Sequence, residues 1–336
     1  MKKFMTGLLA VFLMHFYAFP QADEASKLIE EGIALHDQGN YKEAIIVYEK
    51  ALQLDPASYN GNYEIAYTFM ALEEYDKAIA YGEKAISIDK EHPAAYIVLG
   101  SALDLNGDTK GSVKVYKKGL KYNPGHYLLH YNLALDYVNM GDYKNAEKSA
   151  IEALNNNLAH GSSHLLLGNL FHITKNRPKS LLSLYFFLLL EPNTSRSEEA
   201  LKMLDKQLKA GVEKGEDNQI NISIGNTKSK DGFGAVDLMV SLLAASRNLE
   251  KNENLTDAEF FVETNQSFFS IAGELNKKND SFWWEFYVSF FYSMVKAGHV
   301  EAFSYYIQQT RNSEEVNKWL EANTDKVEAL KQWMVE

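Results

Sequence analysis

From residue 25 to residue 192 the chain alternates apolar blocks, each long enough for three or four helical turns, with short polar breaks. The clearest breaks are QGNY (38–41), LEEY (72–75), NGDT (106–109) and MGDY (140–143). Within the blocks apolar residues recur three and four apart, the spacing that gathers them on one face of a helix. Small and large positions also recur. One column reads Gly32, Ala66, Gly100, Ala134, Gly168, and three residues later Leu35, Phe69, Leu103, Tyr137, Phe171. In the following block the columns are Ala44, Ala78, Ser112, Ala146, Ser180, then Ala51, Ala85, Gly119, Ala153, Phe187. Small side chains let two helices approach, and large apolar ones fill the remaining gap. All columns repeat at 34 residues, giving five ungapped units, 25–58, 59–92, 93–126, 127–160 and 161–194.

The breaks carry turn chemistry. Gly39, Gly107 and Gly141 suit the left-handed residue that ends a helix, and Asn40, Asp108 and Asp142 suit the cap of the next. Pro56, Pro124 and Pro192 fall at unit ends, where no interior helical N–H is needed. Each unit therefore reads as a helical hairpin. With segments such as NYKEAIIVYEKALQLDP (40–56), the repeated region resembles the tetratricopeptide repeat family. The resemblance covers residues 25 to 192 and implies an all-α fold: a right-handed superhelix of five helical hairpins, followed here by a mostly helical carboxy-terminal domain. The fifth unit departs from the pattern, with RPKS in place of a glycine turn and Phe187 in a small-residue column.

The resemblance further implies a concave, protein-binding face lined by the first helix of each hairpin. Carried onto this chain, it selects Ser26, Ile29, Ile33 and His36, then Asn60, Tyr63, Tyr67 and Met70. Later units add Ile97, Ser101 and Asp104, then Leu128, Tyr131, Leu135 and Val138, then Leu165, Asn169 and His172. This lining is apolar and aromatic. The lysine, arginine and asparagine clamp by which some family members hold a peptide carboxylate is replaced by isoleucine, tyrosine and leucine, so that activity is not expected. Either a protein or peptide partner held by tyrosine anchors, or packing of these residues against a neighbouring part of the same chain, is expected instead.

After Pro192 the register is lost. Residues 197–210 read as an amphipathic helix, and 195–232 as a helix and polar linker with a short strand near Ile220 to Ile224. Residues 233–336 read as a helical, aromatic-rich domain, with periodic segments near 233–250, 256–277, 281–297, 300–310 and 313–334, of which 281–307 resembles a degenerate repeat hairpin. Thr256 with Glu259 fits a capping box, and Ala297-Gly298 fits a helix end. All four tryptophans, Trp283, Trp284, Trp319 and Trp333, lie here; they are read as core, with sugar stacking as the alternative role. LLSLYFFLLL (181–190) is apolar on every face, as expected of a helix covered on both sides by the carboxy-terminal domain docked on the fifth unit.

Composition narrows the function. The first 22 residues, with Lys2, Lys3 and an apolar run from Phe4 to Phe19, read as a cleaved secretory signal, and cleavage would take the formal charge from −11 to −13. Neither figure nor any basic run favours nucleic acid, and no later segment reads as a stable transmembrane helix. With no cysteine there is no disulfide or thiolate chemistry. No HExxH, GxSxG, phosphate-loop or EF-hand pattern occurs, and acid pairs such as Glu73-Glu74 point to different helix faces. HYLLH (126–130) and HGSSH (160–164) have metal-ligand spacing, yet they lie 34 residues apart and mark the repeat. The sequence thus predicts a non-enzymatic scaffold or adaptor with no cofactor and no metal, exported to a Gram-negative periplasm, the cell surface or the medium. A carbohydrate or cell-wall module using the tryptophans, and a hydrolase in the same domain, are the alternatives.

Overall fold

A computed structural model describes residues 23–214, 220–222, 231–275 and 280–335; the signal segment, 1–22, lies outside them. The chain divides into two compact units, one up to Asn157 and one from Leu158 onward. Contacts thus group the fifth 34-residue repeat with the carboxy-terminal helices.

The first unit contains α1 (23–37), α2 (Tyr41–Leu54), α3 (Tyr59–Ala71), α4 (Tyr75–Ile88), α5 (Pro93–Leu105), α6 (Thr109–Tyr122), α7 (Tyr127–Asn139) and α8 (Tyr143–Asn156). Each hairpin turns through one left-handed residue in the same column: Gly39 (φ 80°), Glu73 (59°), Gly107 (92°) and Gly141 (72°). The N–H after it reaches five residues back, as from Asn40 to Leu35 O (2.9 Å) and Asp108 to Leu103 O (2.8 Å). This closes the helix end by the same pattern each time. Asp108 and Asp142 cap the next helix through the N–H groups of Gly111 (2.9 Å) and Asn145 (3.3 Å). Asn40 does not cap; its amide turns to Gln38 instead.

The small-residue columns work in compensating pairs. An added Cβ on Gly32 would lie 2.3 Å from the Tyr48 ring, and one on Gly100 would lie 2.3 Å from Tyr116. In the second and fourth repeats both members of the pair are small, Ala66 with Gly82 and Ala134 with Ala150. In the first and third hairpins the ring fits only because the facing helix has no Cβ, and Tyr48 and Tyr116 are fully buried as a result. The first helices α3, α5 and α7 pack on one another, whereas the second helices of neighbouring hairpins scarcely touch. The layer of first helices is therefore the tighter, inner side of the curve.

The second unit contains α9 (Gly161–Ile173), α10 (Arg177–Leu190), α11 (Ser195–Lys209), β1 (Val212–Lys214), β2 (Ile220–Ile222), α12 (Phe233–Ser246) and α13 (Asp257–Leu275). A π-helical stretch, Trp283–Val288, then runs into α14 (Ser289–Ala297), and α15 (Val300–Tyr306), α16 (Glu314–Ala322) and α17 (Thr324–Trp333) follow. The strand expected near Ile220 pairs antiparallel with β1, Val212 opposite Ile222. The capping box holds, with Glu259 N–H to Thr256 Oγ1 at 3.1 Å and Thr256 N–H to Glu259 Oε2 at 2.9 Å. The segment expected as one helix over 313–334 is broken at Asn323, which ends α16 and precedes α17.

Helix α10 is the centre of this unit, buried from Pro178 to Leu189. The Tyr185 ring meets Phe261, Phe268, Phe269, Phe291 and Phe303, and its hydroxyl donates to Asn265. At the start of α10, Arg177 donates to Asp237 Oδ1 (2.6 Å), Asp237 O (2.6 Å), Ser241 Oγ (2.6 Å) and Ala210 O (2.8 Å). Two residues on, the buried Lys179 ammonium lies over Phe171 (4.9 Å) and Trp283 (5.0 Å), with Asp231 at 3.4 Å. The docking of the carboxy-terminal helices on the fifth repeat is thus a packed aromatic core closed by charged latches. RPKS is the first turn of α10 and not the hairpin turn, which is formed by Lys175 (φ 58°) with Asn176 as cap.

Candidate functional site

On the inner layer of the first unit, Tyr59, Tyr63 and Tyr67 stand four residues apart on α3. Their rings are near-parallel, with centroids 6.0 Å apart at 6° and 6.3 Å apart at 8°. His36, from the end of α1, stacks on Tyr67 at 5.0 Å and meets Tyr41 edge-on at 5.0 Å. At the other end Tyr59 hydrogen-bonds His92 Nδ1 at 2.8 Å. One hairpin turn, one helix and the connection between the second and third repeats thereby produce a continuous aromatic lane. Tyr67 is 47% exposed, so the lane opens to solvent. Thr68 gives its hydroxyl proton to Glu64 O (2.8 Å), so His36 Nδ1–H must be the donor to Thr68 Oγ1 (2.9 Å), which fixes the tautomer of the ring.

The charges acting on the lane are acidic. Burial pushes the Glu64 carboxyl up, and Asp37 adds to the shift. Burial likewise raises the Tyr63 and Tyr59 phenols, with Glu64 acting on both and Asp89 also acting on Tyr59.

The structure distributes the other sequence-selected residues differently. Ile29 faces inward, 7% exposed, in a core with Ala44, Tyr48, Ile65 and Phe69, because it lies on the α1 face that meets the second helix. Ile33 and Met70 pack on the rim of that core. Ile97, Tyr131 and Leu135 are half-buried on α5 and α7, and Ser101 is bonded to the Tyr116 hydroxyl at 3.0 Å. Asn169 is half-buried and His172 exposed on α9, in the second unit. Tyr41, Tyr59 and His92 join the lane although the sequence reading passed over them; the four-residue spacing of Tyr59, Tyr63 and Tyr67 was the available signal.

Trp283 and Trp284 give no open stacking platform, while Trp319 and Trp333 are half-buried. Trp283 and Trp284 are 3% and 2% exposed, and Trp284 stacks on Phe233 at 4.5 Å while donating to Asp231 O at 2.9 Å. Trp319 lies flat on Tyr305 at 4.2 Å, and Trp333 meets Phe290 at 5.3 Å. Trp283 and Trp284 are therefore core residues, and the alternative sugar-stacking role does not fit them.

The histidine pairs have a shared structural explanation. His130 Nε2 donates to Pro124 O (2.8 Å), His164 Nε2 to Leu158 O (2.8 Å), the Tyr96 hydroxyl to Lys90 O (2.9 Å) and Asn62 Nδ2 to Pro56 O (3.5 Å). Successive members of one repeat column thus tie the helix to the carbonyl six residues back. His164 is fully buried and accepts at Nδ1 from Tyr287 (2.6 Å), and burial lowers its pKa to about 3.

Among the described residues no histidine and carboxylate group is arranged to hold a metal ion, and no helix is long and apolar enough to cross a membrane. The second unit has a cavity of about 360 Å³ bounded by Leu208, Phe260 and Phe261. Its arginines are already engaged, Arg311 with Asp205 (2.6 Å) and Arg247 with the carbonyls of Asn252 and Leu255 (2.9 Å each).

Comparison with known proteins agrees with the repeated turns. Residues 32–73 match a TPR repeat family, and 59–92, 93–126 and 131–185 match tetratricopeptide repeat families. The repeats belong to the tetratricopeptide repeat family. The tetratricopeptide repeats here are similar to BBSome complex member BBS4 of Bos taurus, 28% identical over 45% of this chain and 28% of that protein. They are also similar to a small glutamine-rich tetratricopeptide repeat-containing protein of Mycosarcoma maydis, 34% identical over 33% of this chain and 32% of that one. The chain thus spans about a third or less of these curated relatives. Among solved structures, PilF of Pseudomonas aeruginosa is similar over 56% of this chain and 90% of its own, at 18% identity and a TM-score of 0.48. A thermophilic TPR protein of Thermus thermophilus is similar over 55% and 98%, at 20% identity and a TM-score of 0.45.

Proposed function

We propose that this protein is a non-enzymatic scaffold of the bacterial cell envelope that holds a partner polypeptide on the inner, first-helix face of its first tetratricopeptide unit. The observation that carries this reading is the solvent-open lane from His36 through Tyr67 and Tyr63 to Tyr59 and His92. Aromatic rings held by stacking have little rotamer freedom left to lose when a partner covers them. The groove extends from this lane to Ile97, Tyr131 and Leu135. The charged, apolar leader of residues 1–22 supports export, with the periplasm of a Gram-negative cell as destination.

Crosslinking and pulldown from the native envelope tests both parts. Wild-type chain is expected to retain a protein that Tyr63→Ala combined with Tyr67→Ala releases, while circular dichroism of the variant stays unchanged. Full retention by the double variant would rule out the lane, and fractionation of the protein with the cytoplasm would rule out the envelope.

A further inference from the structure

Lysines in the first unit are segregated by helix. The second helices α2, α4, α6 and α8 carry eleven, from Lys42 to Lys148, whereas α3, α5 and α7 carry no lysine or arginine. On α1 the sole cation is Lys27, engaged by Asp23 at 2.8 Å. The first helices instead supply Asp37, Glu64 and Asp104, and Asp89 just after α4 adds to the field at Tyr59. The inner layer is thus acidic and aromatic, while the basic residues lie on the outer layer.

The spacing of the tyrosines adds a second constraint. An extended peptide rises about 3.3 Å per residue, so side chains on one edge recur about every 6.6 Å. The rings of Tyr59, Tyr63 and Tyr67 recur at 6.0 and 6.3 Å in near-parallel planes. Alternate residues of such a peptide therefore fall in step with successive rings.

Taking the groove reading above as given, we propose that this face selects a basic segment in extended conformation, with lysine or arginine at alternate positions laid along Tyr59, Tyr63 and Tyr67 and held by Glu64 and Asp37. A cation over a tyrosine face gains from the ring quadrupole, and a nearby carboxylate completes a charge-assisted bond. Acidic tails are rejected because no cation on α3, α5 or α7 answers them.

Fluorescence anisotropy on the full chain with end-blocked, labelled octapeptides tests this. Alternating Arg-Thr peptide is expected to bind at least tenfold more tightly than alternating Glu-Thr peptide, and severalfold more tightly than a four-arginine, four-threonine block isomer. Glu64→Gln and the Tyr63→Leu, Tyr67→Leu pair should each weaken it severalfold with helix content unchanged. Equal binding of the acidic peptide, equal binding of the block isomer, or indifference to all three substitutions would overturn the proposal. If the envelope partner is nevertheless released by Tyr63→Ala with Tyr67→Ala, the groove reading stands and only its charge selectivity falls.

Discussion

Asp136 occupies the repeat column that holds Thr68 two units earlier, and the exchange has a cost. Thr68 has partners on both sides, whereas Asp136 is 2% exposed and its Oδ2 has no hydrogen-bond partner among the described residues. Burial pushes the carboxyl up to about 7, with Ser112 opposing the shift and Asp104 adding to it. A carboxyl whose folded pKa exceeds its unfolded value of about 3.9 contributes fully below that value, and the contribution is lost as pH rises through about 7. Asp136→Asn removes the titration in nearly the same shape. It should raise stability at pH 8 by roughly 1–3 kcal/mol and give no such gain at pH 4. Urea unfolding at the two pH values checks this; an equal effect at both would refute it. His164 has the opposite sign: its neutral, doubly bonded ring stabilises the second unit above pH 6.5, and that support is lost as pH falls toward 3. The histidine spacing was legible in the sequence, but its cause was not. Only the bonds to the carbonyls six residues back reveal why histidine, tyrosine and asparagine share one column.

Helices α1 to α9 were legible as elements because their small and large positions repeat, and each column is an independent witness to the others. Helix α10 was legible as the second helix of the fifth repeat, covered on both sides. Its apolar sequence does not say which neighbour lies on which side, since that depends on contacts far along the chain, such as Tyr185 with Phe303 at 5.9 Å. The turn before it was misplaced for a related reason. Lys175 takes the left-handed conformation reserved for glycine in three other repeats because hairpin packing imposes it, as it does on Glu73. At the element scale the strongest latch is Arg177, only 13% exposed in its side chain and bound to four acceptors at once. Arg177→Ala strands the Asp237 carboxylate and is expected to cost about 2–4 kcal/mol. Removing the exposed Lys202, paired with Glu198 at 2.7 Å, should leave the denaturation midpoint nearly unchanged. Denaturant midpoints of the two variants compare them directly; similar losses would show that α10 does not depend on its charged end.

At the scale of the whole chain, the repeat register and the packing mark different boundaries, and fragments can distinguish them. The 34-residue columns run to residue 194, which suggests cutting there. The contacts instead join α9 and α10 to everything after them. Tyr185 is ringed by phenylalanines of α13, α14 and α15, and Asn265 links its hydroxyl to Ser304 (2.9 Å). A fragment of residues 195–336 therefore loses the helix around which its aromatic core is built, and some of its largest apolar side chains face water. Residues 158–336 keep that core intact. Expressed separately, 158–336 should unfold in one cooperative urea transition with a structured near-ultraviolet dichroism spectrum. The fragment 195–336 should keep helical dichroism, lose the near-ultraviolet signal and bind hydrophobic dye. If 195–336 instead melted cooperatively at a midpoint near that of 158–336, the fifth repeat would be a neighbour of the carboxy-terminal domain and not part of its core.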